Sequence, residues 1–388
     1  MKQIKLANDT IDKNDINSLI EWLSQNDIPR LAKGDLTIEL EKKFAKYINR
    51  KHSIYVNSGS SAILLSLATL KSNQKLKNNK IVVPGLSWAT DLSSPIILGM
   101  DPILCDVNLN DLSVNLLVLE EIFKNEQPAV LLLVSVLGLV PDMKSIIELC
   151  SKYNVVLIED ACESLGSEYF QQKIGSFGLM STFSFYFGHH ISTIEGGMIA
   201  TDDDEIYDLL LAMRSHGWDR DLPLTTAKKL QKQYQVSDFK TLYTFYYPGF
   251  NLRSTDLQAF IGIKQLDKLD LFVKIRNENF KLYQHKLKNY NRINFIDDNN
   301  HFISNMAYPI INENRDIIVE KLKQNNIEIR PLIAGDMSIQ PMFTDRYDSV
   351  KLPVCDYIEK YGFYLPNHPN LTQENITLIS DIIISNSK

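Results

Sequence analysis

Cysteine is scarce in this chain. Four occur in 388 residues, at Cys105, Cys150, Cys162 and Cys355, with no C-x-x-C pair and no histidines clustered beside them. That spacing provides neither a disulfide framework nor a zinc ligand set, so no metal is expected, and the four read as small buried apolar residues. Basic excess is missing as well. Lys and Arg number 41 against 47 Asp and Glu, a net charge of −6, which leaves no electrostatic footprint for nucleic acid. Apolar runs are short: the longest, AVLLLVSVLGLV at 129–140, cannot span a bilayer and reads as a buried strand. The opening MKQIKLANDT has no apolar core after its lysines, unlike a secretory leader, so no membrane partner and a cytoplasmic location are expected. Internal repeats and low-complexity tracts are lacking, and AKKLQKQYQ at 227–235 reads as a solvated segment. One further absence bears on chemistry: no lysine occurs from 174 to 227.

What is present is a soluble-type composition, 44% hydrophobic and 23% charged, enough to bury a substantial core. Between about 50 and 200, short apolar runs such as HSIYVNS, KIVVPG, DPILCDV, NVVLIED, STFSFYF and GGMIATD alternate with amphipathic segments. Strands alternating with helices predict an α/β fold with a mostly parallel central sheet covered by helices, whose ligands collect beyond the strands' carboxyl ends. Past Arg253 one long helix or a bent pair is expected, then a smaller α+β unit with strands in FISNMAYPII and IEIRPLI. The predicted division is a large domain over 1–255, and a linking helix with a small C-terminal domain over 256–388.

Five short stretches carry candidate chemistry. In NSGSSAILL, small residues follow a strand and open a helix, so Gly59, Ser60 and Ser61 are either ordinary caps or a phosphate cradle. Trp88 in PGLSWAT is either core packing or a face for a flat ring. IEDACESLGS delivers Asp160 to a strand end, as a helix cap or as the partner of a protonated ring nitrogen, with Glu163 on the same cleft. SFYFGHHISTIEGG places Ser184 before the adjacent pair His189 and His190. Neighbours in an extended segment point opposite ways, so only one of the two can face a ligand, and a shared metal is a poor reading. GFNLRSTDLQAFIG sets Phe250, Asn251 and Arg253 in a loop before a helix.

The order and spacing of these stretches resemble the pyridoxal-phosphate-dependent sugar aminotransferase superfamily of fold type I, over nearly the whole length. The resemblance implies that Gly59, Ser60, Ser61 and Ser184 hold the phosphate, Trp88 stacks on the ring and Asp160 pairs with its nitrogen. It further implies that Asn251 reaches the phosphate of a neighbouring subunit, hence a homodimer with shared sites. The family's S-F-x-x-x-K-x-x-x-x-x-E-G-G motif places a Schiff-base lysine where this chain has His189. Histidine there characterises the 3-dehydratase branch. An R-x-H-G run in the family makes His216 and Arg220 of RSHGWDR substrate-side candidates, with surface ion pairing the alternative, and Arg330 a weaker one.

Imidazole is a competent base near neutrality, but it cannot hold the cofactor covalently as a lysine does. The expected activity is therefore a lyase. Pyridoxamine phosphate, regenerated with L-glutamate, takes a nucleotide-linked 4-keto-6-deoxyhexose, GDP-linked by likeness, and His189 removes a proton so that the C3 hydroxyl leaves. A second branch with the same histidine employs an iron–sulfur cluster and a reductase. The scattered cysteines speak against that partner. Two rivals stand beside the lyase: an aminotransferase using another lysine, and a non-catalytic sensor that kept the fold.

Overall fold

The computed structural model describes residues 3–295 and 300–387. Its strands in chain order are β1 His52–Val56, β2 Lys80–Pro84, β3 Asp101–Cys105, β4 Val130–Val134, β5 Val156–Asp160, the short β6 Glu168–Tyr169 and β7 Gln172–Lys173, then β8 Met180–Ser184 and β9 Gly197–Thr201. Seven of them form the central sheet in the order β1-β9-β8-β5-β4-β2-β3. Pairing is parallel from β3 through β2, β4 and β5 to β8, and only β9 runs against its neighbours β8 and β1. The expected mostly parallel, helix-covered sheet is therefore what forms. The cause is visible in β4: all five side chains of VLLLV are buried, so both faces need cover, at about 2 kcal/mol of hydrophobic stabilisation per side chain.

Four helices precede or interleave the first strands: α1 Lys13–Leu23, α2 Asp35–Ile48, α3 Gly59–Ser72 and α4 Ala89–Ile97. A buried ion pair ties this region together. Arg214, fully buried, donates to Glu41 Oε1 of α2 at 2.5 Å and to the Tyr55 carbonyl of β1 at 2.9 Å. Breaking such a pair from one side strands a charge without solvent and costs about 3–5 kcal/mol.

The segment after Arg253 is a single helix of 32 residues, Asp256–Leu287, not a bent pair. FISNMAYPII, expected as one strand, is two. β10 His301–Phe302 pairs with β6, whereas β11 Ala307–Ile311 joins β12 Arg330–Pro331 and β13 Gly362–Pro366 in a separate three-stranded sheet. Between them Ser304 and Asn305 turn inward, fully buried, and bond the loops after β4 and β5. Polar groups that must meet buried partners interrupt the ladder where apolar alternation alone would have continued it. Among the described residues no helix is long and apolar enough to cross a membrane, and no cluster of three or more His, Cys, Asp or Glu could hold a metal ion.

Candidate active site

The carboxyl ends of β4, β5 and β8 and the loops after β1 and β2 open onto one cavity of about 820 Å³. Such a volume suits a small-molecule ligand of some size. Residues 5–9 and the smaller sheet, through Arg330 and Tyr364, complete its wall.

At one end stands the start of α3. Ser58 caps it, its Oγ accepting the Ser61 N–H at 3.0 Å and donating to Ser61 Oγ at 2.9 Å. Ser61 is thus tied into the cap, whereas Ser58, Gly59, Ser60 and, one turn on, Ile63 line the cavity. The first N–H groups of a helix have no intrahelical acceptor, so those of Gly59 and Ser60 can meet an anion. Glycine is required by space. A Cβ on Gly59 would stand 2.7 Å from Ser184 Cβ and 2.9 Å from Cys162 Sγ, and one on Gly197 would stand 2.3 Å from the Ser58 carbonyl oxygen. The cradle is therefore bare backbone packed directly against β8 and β9.

Trp88, the N-cap residue of α4, borders the cavity with 55% of its surface exposed, so it is not a core residue. Opposite it lie buried carboxyls. Asp160 Oδ1 accepts the Cys162 N–H at 3.1 Å and the Thr182 hydroxyl at 3.0 Å. Burial pushes its pKa upward against these donors. Glu163 Oε2 accepts the Leu137 N–H at 2.7 Å, and burial lifts this carboxyl to about 7. Both side chains line the cavity.

The two histidines diverge. His189 lines the cavity, with Nδ1 buried and without a hydrogen-bond partner, which leaves Nε2 as the nitrogen able to meet a ligand. His190 is fully buried and donates from Nε2 to the Ser304 carbonyl at 2.9 Å. Behind the pair lies Arg276 of the long helix. It is 1% exposed and donates to the carbonyls of His189 and Met306, each at 3.0 Å, and of Asn367. No carboxylate pairs with it among the described residues. Burial first, and the Arg276 charge second, hold the His189 imidazole down at about 4, so it stands neutral and ready to accept a proton.

Other sequence candidates fall elsewhere. Arg330 borders the cavity, paired with Glu328 at 2.5 Å. Asn251, His216 and Arg220 do not line it. Asn251 accepts from Arg253 Nε at 3.0 Å, and the Arg220 guanidinium sits 3.9 Å from the centre of the Trp218 ring, which His216 meets edge-on. They form an outlying patch with exposed Tyr243 and Phe245.

Three residues have no signal in sequence. Asp91 is wholly buried beside Asp160. Arg276 reads as one more charge on a helix. Lys5 is the one lysine among the cavity-lining residues.

These features fit pyridoxal phosphate: a cradle that a side chain would fill, an exposed indole face, and buried carboxyls short of a cation. The comparisons point the same way. The model of the DegT/DnrJ/EryC1/StrS aminotransferase family matches residues 9–383. The chain is 30% identical over 393 residues to GDP-4-keto-6-deoxy-D-mannose 3-dehydratase of Yersinia pseudotuberculosis, covering 99% of this chain and 98% of that one. It is 28% identical to GDP-perosamine synthase of Caulobacter vibrioides, covering 97% and 96%. The structure of Escherichia coli GDP-4-keto-6-deoxy-D-mannose 3-dehydratase with bound hydrated PLP superposes with a TM-score of 0.89 at 29% identity, over 99% of this chain and all of that one.

Proposed function

This chain belongs to the DegT/DnrJ/EryC1/StrS aminotransferase family, and on that premise we propose that it is a pyridoxal/pyridoxamine-phosphate-dependent 3-dehydratase of a nucleotide-linked 4-keto-6-deoxyhexose. GDP-4-keto-6-deoxymannose is the substrate and glutamate the amino donor. The observation that carries the reading is His189: the residue that the motif resemblance sets in place of a lysine lines the cavity as a neutral imidazole whose Nδ1 is buried. The relatives include both a dehydratase and an amino-sugar synthase, so the family alone does not choose between the two outcomes.

When bound, the cofactor supplies an amine to carry the sugar's C4 and a ring that takes up electrons. The chain does the rest. The N–H groups of Gly59 and Ser60, with Ser184, would hold the phosphate. Trp88 would cover one ring face, and Asp160 would accept the ring N–H. His189 Nε2 would accept a proton from the bound cofactor's carbon and, lacking a lysine's flexible arm, would not deliver it to sugar C4. The C3 hydroxyl would depart instead, and hydrolysis would yield ammonia and a 4-keto-3,6-dideoxy sugar suited to surface polysaccharide such as colitose-bearing O-antigen. Glu163, which holds a proton up to about pH 7, and Arg330 face the substrate side.

The enzyme works in the cytoplasm as a homodimer, Asn251 completing the neighbour's phosphate site and His216 and Arg220 facing the neighbour's substrate. Supporting the dimer is the exposed aromatic patch beside them, with Tyr243 at 76% and Phe245 at 55% exposure.

The test is incubation with cofactor, glutamate and GDP-4-keto-6-deoxymannose. Ammonia with a 3-deoxygenated sugar is expected, and His189→Asn should keep the cofactor and lose deoxygenation. A stable amino sugar would sink the proposal in favour of an aminotransferase. Lys5→Ala, which should leave turnover intact, checks the cavity's own lysine. A bound-cofactor spectrum that glutamate leaves unchanged would instead mark a non-catalytic sensor.

A further inference from the structure

Two buried carboxyls act on one another where Asp160 meets the cavity. Asp91, at the third position of α4, is 0% exposed and Asp160 is 4% exposed. Asp91 Oδ2 accepts the Trp88 N–H at 3.0 Å, while its Oδ1 is buried with no donor directed at it. The neighbouring charge that bears most on Asp91 is the Asp160 carboxyl. Carboxylate oxygens cannot bond each other without a proton between them, and two adjacent buried carboxylates do not both ionise.

Which one holds the proton follows from the donors. Asp160 Oδ1 receives both the Cys162 N–H and the Thr182 hydroxyl, whereas Asp91 receives a single backbone N–H. The better-solvated oxygen keeps the negative charge. We infer that Asp91 is a carboxylic acid that donates its proton from Oδ1 to Asp160, so that the pair carries one negative charge and presents Asp160, ionised and fixed in orientation, to the cofactor's ring nitrogen. Burial, the Asp160 charge and the more distant Glu163 all push Asp91 toward the protonated form, and only the Trp88 N–H opposes them. Asp91 is thus a positioning residue: it does not line the cavity and acts through Asp160.

This inference rests on the proposed function only in taking Asp160 as the ring's partner, because the shared proton belongs to the cofactor-free chain. It can therefore be read there. Infrared spectra of apo-protein labelled with 13C at the aspartate carboxyls should show a protonated-carboxyl band that persists at pH 8. By then Asp111, raised by burial only to about 6, has ionised. Asp91→Asn should remove the band yet keep an N–H donor to Asp160, leaving the dissociation constant for pyridoxal phosphate within about threefold. Asp91→Leu, which has no donor, should weaken it tenfold or more and alter the absorption of the protonated ring. Absence of a persistent band in the wild type overturns the proposal, even if either variant fails to fold. Equal loss of affinity in the Asn and Leu variants overturns it too. A positive band with no dehydratase activity would count against the proposed function alone.

Discussion

Lowering the pH should find His189 among the last histidines to take a proton. The unperturbed imidazole has a pKa of about 6.5 and is about one quarter protonated at pH 7. In this fold burial, aided by the Arg276 guanidinium, brings it to about 4, so about one molecule in a thousand is protonated at pH 7. A folded-state value below the unfolded one means that the native state resists protonation. The stability contribution is complete above about 6.5 and is lost as pH falls toward 4. Each such group withdraws at most about 1.4 kcal/mol per pH unit, less for a ring beside an open cavity. His368, likewise held at about 4 by burial, adds to the same acid lability. The assay is 13C NMR of the seven histidines in the cofactor-free protein, with His189→Asn giving the assignment and urea unfolding followed in parallel. The His189 resonance should stay put from pH 8 to 5. In turnover, the acid limb of kcat/KM should lie below pH 5. A midpoint at 6 or above would refute the claim that the cavity keeps the base neutral.

Three other outcomes follow from the same geometry. Arg276→Gln should raise the His189 midpoint by about one unit, and should cost about 3 kcal/mol or more in urea unfolding, because three carbonyls lose a charged donor. Gly59→Val should abolish pyridoxal phosphate binding, since its Cβ would meet Ser184 and Cys162 inside 3 Å, with circular dichroism little changed; tight binding would dismiss the cradle. Equal mixing of inactive His189→Asn and Asn251→Ala proteins, refolded together, should restore about a quarter of wild-type activity, because half the dimers are hybrids with one intact site of two. No recovery would reject the shared site.

How much of this was legible beforehand differs by the range of the interactions involved. The strands of the central sheet announced themselves because each is a short apolar run bounded by turn residues, and the β1–α3 cradle because small residues are hard to place anywhere else. FISNMAYPII misled for a definite reason. Its alternation continues through Ser304 and Asn305, but the partners that bury those two groups lie in loops more than a hundred residues earlier. Asp91 in SWATD carries the signature of a helix N-terminal acid and does serve as one. Its contact with Asp160 arises only because β2 and β5 flank β4 in the sheet. Asn251 and Arg220 were found by motif, yet one chain does not bring them to the cavity. Sequence spacing constrains neighbours along a chain far better than groups brought together by crossover connections or by a second copy.

The adjacent histidines then form a single device. His190 Nε2 is fastened to Ser304, and Arg276 holds the carbonyl between the two rings, so the loop after β8 is fixed on both sides of the His189 backbone. A lysine has four methylenes with which to search for its target, and tolerates a loosely set backbone. An imidazole has one, and must be delivered by the main chain itself. Among the described residues the cation doing the holding has no acid to neutralise it and leans on carbonyls, which leaves its field to act on the imidazole. Arg276 thus places the base through its fork of donors and, after burial, helps keep it neutral through its charge, so a substitution that removes one and keeps the other should separate the two effects. Should Arg276→Lys, which keeps the charge but loses the fork of donors, leave the His189 midpoint near 4 while displacing the ring and slowing turnover, the two effects will have been separated as this geometry requires. An upward shift of that midpoint equal to that of Arg276→Gln would instead mean that burial set by the loop, and not the guanidinium's charge, governs the base.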